Sequence, residues 1–234
     1  FALLGITSAM VAAFILGPLA LTGRRALATR TTSKLSALIY FACLGTGFMI
    51  VEIAMIQKFI LFLGHPVYSL AVVLFSLLLF SGLGSYCSGR IKEPELDSAL
   101  KKILIALAAL IGIYIIALPP VFYGLVHLER ALRILIAVAL IGPLAILMGM
   151  PMPLAIRILN QKIPETIPWA WGVNGAASVM GSAAALVVAI LTGFNQALLL
   201  GASIYLLSIA FITRVTRRGT KTERHLEEEL QLST

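Results

Sequence analysis

Long apolar runs, each about the length of a membrane crossing, dominate the chain and alternate with short breaks of polar, charged or turn-forming residues. A spanning helix needs about 20 apolar residues, at 1.5 Å of rise each, to cross roughly 30 Å of hydrocarbon. Seven segments meet or approach that requirement: 1–22, 36–63, 67–87, 103–119, 131–150, 169–192 and 195–213. The breaks carry their own chemistry. Gly64-His65-Pro66 separates the second segment from the third, because proline cannot continue a helix and restricts the residue before it. Pro119-Pro120 is expected to stop the fourth, and Met150-Pro151-Met152-Pro153 to end or kink the fifth. Gly193 with Asn195 makes a short turn between the last two. The pattern predicts an all-α, polytopic membrane helix bundle of about seven transmembrane helices over residues 1–213. A charged tail follows over 214–234, where Thr220 and Glu223 stand at capping-box spacing and predict a short surface helix.

Composition leads to the same class. The chain is 60% hydrophobic and 12% charged, against roughly 45–50% and about 25% in a soluble domain. Its mean hydropathy is +1.01. A soluble fold of 234 residues could not cover so much apolar surface. A disordered chain, a coiled coil and an ordinary cytosolic enzyme are thereby excluded. The net charge of +8 does not indicate nucleic acid, since the basic residues form no groove with interleaved aromatics. Cys43 and Cys87 lie in apolar runs and read as reduced packing residues.

Charge gives a test of the span count that does not use hydropathy. With seven spans, fifteen of the eighteen Lys and Arg fall on one face, including Arg90, Arg157 and the tail arginines. Only Arg130 and Arg133 fall on the other, and Lys58 lies within a span. The positive-inside rule makes the crowded face cytoplasmic. The expected setting is a bacterial inner membrane with the C-terminus in the cytoplasm. A chain that opens at Phe1, already inside an apolar run, reads as a piece of a longer protein.

Within the spans, Glu52 is the one acidic residue. A carboxylate costs about 2.5 kcal/mol or more at the bilayer centre and normally faces the bundle interior. It therefore has two readings: a proton, ion or substrate site, or a structural hydrogen bond between helices. Lys58, about 240° further round the same helix, is no same-face partner and is expected to snorkel to the outer interface. His65 reads as an outer turn residue. Arg90 is placed at a cytoplasmic hinge, where it is expected to cap helix-end carbonyls or hold the lipid surface, with Gly82, Gly84 and Gly89 letting the helix end tightly. In the sixth segment, Ala177, Gly181 and Ala185 recur at four-residue steps and form a stripe for close helix packing. Asn174, above them, is expected to hydrogen-bond to a neighbouring helix, with lining of a polar cavity as the alternative. No zinc spacing appears, and no metal or other cofactor is expected in this chain. There is no Walker loop, dinucleotide fingerprint or nucleophile elbow, and Asp97 is the only aspartate.

Several blocks follow one another in a recognisable order. Leu44-Gly45-Thr46-Gly47-Phe48-Met49, Glu52-Ile53, Ile56-Gln57-Lys58-Phe59 and Leu61-Phe62-Leu63-Gly64-His65-Pro66 come first. Ser81-Gly82-Leu83-Gly84-Ser85, Gly149-Met150-Pro151-Met152-Pro153-Leu154 and Pro168-Trp169-Ala170-Trp171-Gly172-Val173-Asn174-Gly175 complete the series. Together they resemble the membrane portion of bacterial spermidine-synthase-like multi-pass proteins. The resemblance implies a linked Rossmann-like aminopropyltransferase or methyltransferase-like domain upstream of Phe1. No block of that domain is present, so none of its catalytic residues is transferred. The leading expectation is a membrane anchor and scaffold, without activity of its own, packed with other membrane subunits or joined to a soluble domain. The rival is a transporter-like bundle that moves a small cation or polyamine, with Glu52 as its intramembrane site.

Overall fold

The computed structural model describes residues 32–232, with side chains from Ser33 to Thr216, together with Gly5 and Ala9. Seven α-helices are described and no strand occurs among these residues. They are α1 (Thr32–Leu63), α2 (Pro66–Ser88), α3 (Leu96–Leu125), α4 (Arg130–Gly149), α5 (Pro151–Lys162), α6 (Ile167–Thr192) and α7 (Phe194–Leu232). Three-residue 3-10 turns, Glu93–Glu95 and Pro164–Thr166, lead into α3 and α6. Six stretches are long and apolar enough to cross a membrane, with α4 and α5 counted as one. The sequence predicts about seven. The remaining one, 1–22, lies outside the described residues apart from Gly5 and Ala9.

The turn residues account for most of the boundaries. Gly64 ends α1 at φ 77° and Gly193 ends α6 at φ 101°, backbone conformations that favour glycine. His65 accepts a hydrogen bond on Nδ1 from the Val67 amide at 3.3 Å and so caps the start of α2. The Met150–Pro153 block does divide a span, because Pro151 restarts the chain as the first residue of α5.

Two expectations are corrected. Pro119-Pro120 does not stop the fourth span, since α3 runs through both prolines to Leu125. The prolines lack only their own amide bonds, and the turn beyond them is held by packing: Phe122 stacks on Phe62 (4.6 Å between ring centres) and meets Phe59 edge-on at 5.0 Å. The tail does not start a new helix at Thr220 either, because α7 is continuous to Leu232. The capping-box spacing therefore lies in a helix interior, where no free amides need a cap.

α1 is the central helix. It packs along α6 and α7, while α2 packs along α4 and α3 along α7. The stripe foreseen on α6 is the seam with α1: a Cβ on Gly181 would lie 2.8 Å from Thr46 Cα. Thr46 Oγ1 donates to the Ala177 carbonyl at 3.4 Å, and Ala185 is buried. The loops gather at two ends. At one, Lys34 pairs with Glu165 (3.2 Å) and Arg157 reaches Ser88 and Ile91. At the other, Arg133 donates to the Phe62 carbonyl at 2.9 Å beside the aromatic cluster. The helices thus alternate in direction through the bundle.

Candidate functional site

A cleft of about 740 Å³ lies where α1, α2, the α4–α5 joint and α6 meet. α1 supplies Leu44, Gly45 and Phe48, and α2 supplies Leu78, Ser81, Gly82 and Ser85, with Ser88 and Gly89 at its end. The joint brings Met148, Gly149, Met152 and Pro153, and α5 adds Ile156 and Arg157. α6 contributes Trp171, Asn174 and Ser178, while Tyr205 reaches in from α7. Small residues open the space. Four of the sequence blocks described above, around residues 44–49, 81–85, 149–154 and 168–175, each place side chains on this lining.

The polar groups of the lining are mostly satisfied within the bundle. Asn174 Nδ2 donates to the Phe41 carbonyl at 3.1 Å, joining α6 to α1, and Ser178 Oγ donates back to the Asn174 carbonyl at 2.9 Å. Ser88 Oγ donates to the Ser85 carbonyl at 2.6 Å and Ser81 Oγ to that of Leu78 at 3.3 Å. Arg157 is the only charged residue of the lining. Its two terminal nitrogens donate to the Ser88 carbonyl (3.1 Å) and the Ile91 carbonyl (2.8 Å), at the C-terminal end of α2. There the helix dipole favours a cation. Tyr205 is 1% exposed, and its hydroxyl makes no hydrogen bond among the described residues.

The other singled-out residues lie elsewhere. Glu52 is half-buried on α1, close enough to Tyr205 for the two to interact electrostatically, and does not line the cleft. It makes no hydrogen bond or ion pair among the described residues. Lys58 makes no hydrogen bond or ion pair among the described residues. It is buried, and it borders a smaller crevice with Leu61, Pro119, Phe122, Tyr123 and Val126, because α3 continues past its prolines and covers it. His65 is exposed and meets Tyr68 edge-on. Arg90 is exposed and lies over the Tyr86 ring at 5.3 Å. The helix-end carbonyls near it go to Arg157 instead. Gly82 and Gly84 lie inside α2 rather than at its end, and Gly84 packs on the backbone of Ile146 in α4. Among the described residues, no cluster of three or more His, Cys, Asp or Glu could hold a metal ion.

Sequence reasoning missed Arg157 and Tyr205. Arg157 registers in the sequence only as one more positive charge, although its place six residues past the Pro151 break is a usable signal. Nothing in the sequence marks Tyr205.

The Asn174 bond gives a measurable expectation. Interhelical side-chain hydrogen bonds in bilayers contribute about 0.6 kcal/mol on average, up to about 1.7. Asn174→Ala should lower stability by about 1 kcal/mol in reversible unfolding in mixed micelles. An unchanged midpoint would mean that the bond contributes nothing.

No known protein family, curated protein or solved structure compared with the chain matches it.

Proposed function

We propose that this chain is the inner-membrane anchor and helical scaffold of a spermidine-synthase-like protein, holding other membrane subunits or a linked soluble domain. In this reading the chain binds no cofactor and has no transferase activity of its own, and its basic end and C-terminus face the cytoplasm. The observation that carries the scaffold role is the way the helices are locked by backbone-to-backbone contact. Gly84 and Gly149 seat α2 against α4, and Gly45 and Gly181 seat α1 against α6. Helix pairs this close have no side-chain layer in which to slide, which suits a fixed frame. The ordered sequence blocks support the family part of the reading.

Two measurements test it. In a Cys43→Ala, Cys87→Ser background, His65→Cys should label only from outside, and Lys92→Cys and Thr220→Cys only from the cytoplasm. Labelling of His65→Cys and Thr220→Cys from the same side overturns the orientation. For the scaffold role, the protein extracted in mild detergent from its native membrane should migrate with stable partner protein or with a covalently joined soluble domain. A monodisperse lone chain would overturn that role.

A further inference from the structure

We propose that the cleft between α2 and α6 binds a single-chain amphiphile with an anionic head, the head at Arg157 and the chain along the apolar wall. This goes beyond the anchor role and does not depend on it. Arg157 is the sole charge on the lining, and no acidic residue faces it there. Among the described residues it has no carboxylate partner. Two of its five N–H groups are committed to the Ser88 and Ile91 carbonyls. These bonds fix the plane of the guanidinium and leave three donors and the whole positive charge. A carboxylate or phosphate oxygen is the group that such a fork pairs with.

A second observation points inward as well. The Tyr205 side chain is 1% exposed and borders the cleft, with its hydroxyl unpartnered among the described residues. An occupant of the cleft with polar oxygens can offer that hydroxyl an acceptor. Apart from Asn174 and the serines, most of which bond within the bundle, the wall is largely apolar and includes Leu44, Phe48 and Met152. α2 and α6 flank the space without packing closely on one another, and Leu78 and Trp171 stay largely exposed at its rim. The cleft therefore opens sideways, where a chain can enter from lipid. Its volume of about 740 Å³ falls within the range of small-molecule sites.

The chain has two tryptophans, so Trp169→Phe leaves Trp171 as the only indole, at the rim of the cleft. That variant, in nanodiscs of zwitterionic phosphatidylcholine, is titrated with a brominated fatty acid, a brominated lysophosphatidic acid and a brominated lysophosphatidylcholine of equal chain length. Both anionic probes should quench Trp171 saturably, at a mole fraction at least fivefold below the zwitterionic one, and unbrominated fatty acid should reverse the quenching. Arg157→Gln should raise the half-saturation point at least tenfold. Ser85→Phe, which adds a bulky ring at the cleft lining and leaves Arg157 in place, should abolish saturable quenching, and it serves as the deciding variant if Arg157→Gln fails to fold. Equal, non-saturating quenching by all three probes overturns the proposal. So does reversal by inorganic phosphate alone, which would make the ligand a free anion.

Discussion

Gly149→Val should leave little folded protein. A Cβ at this position would lie 2.6 Å from Ser81 Cα, with the Ser81 carbonyl carbon at 2.7 Å, so the obstacle is the backbone of α2. Overpacking costs typically 1–3 kcal/mol where side chains can move aside. Backbone cannot, so the loss should reach about 3 kcal/mol or more, a large share of the stability of a membrane domain. Gly84→Val should behave alike, because its Cβ would meet the Ile146 carbonyl and come within 3.0 Å of Ile146 Cα. Gly112 is the control: nothing lies within 4 Å of a Cβ built there. Gly112→Ala should be neutral or gain up to about 1 kcal/mol from helix propensity. Thermal unfolding followed by size-exclusion chromatography in detergent reads all three. Wild-type stability of Gly149→Val would show that α2 and α4 do not meet in this register.

Arg157→Leu is expected to be the second most damaging change. It removes two charge-assisted hydrogen bonds from the end of α2, each worth about 1.5–3 kcal/mol, and strands the Ser88 and Ile91 carbonyls. A loss of about 3 kcal/mol should result. Arg157→Lys should recover only part of it, since an ammonium lacks the planar fork that spans two carbonyls. Arg90→Ala, just past the end of α2, gives up only a contact with the exposed Tyr86 ring and should cost less than about 1 kcal/mol. Reversible unfolding of the three variants separates these expectations. If Arg90→Ala costs as much as Arg157→Leu, the assignment of the helix cap is wrong.

The contrast between these two arginines shows what can be read from one sequence. Where a residue's role follows from its neighbours along the chain, it was legible. Apolar length gave the described spans, Gly64 and Gly193 gave turns, Pro151 gave the restart of a helix, and four-residue spacing gave the α6 seam. Where the role depends on a distant partner, it was not. Pro119 and Pro120 read as a stop because the sequence cannot show Phe59 and Phe62 waiting to hold Phe122. Arg90 was the nearer candidate for the end of α2, yet the cap comes from 69 residues away. The cleft is of the same kind. Its serines and Asn174 are visible as polar letters in apolar runs, but their convergence requires four helices and a joint to be placed first.

The uninterrupted course of α7 has a mechanical consequence. Its 39 residues amount to roughly 58 Å of rod, close to twice the roughly 30 Å thickness of hydrocarbon. The apolar stretch ends at Thr216, so the rest of the helix projects as a spoke beyond the length a crossing needs, and its base is packed on α3 and α1. Such a spoke sets both a distance and a compass bearing for whatever meets its far end. Each residue inserted into it advances that end by 1.5 Å and swings it by about 100°, so one added residue changes the bearing far more than the reach, whereas seven restore nearly the same heading about 10 Å further out.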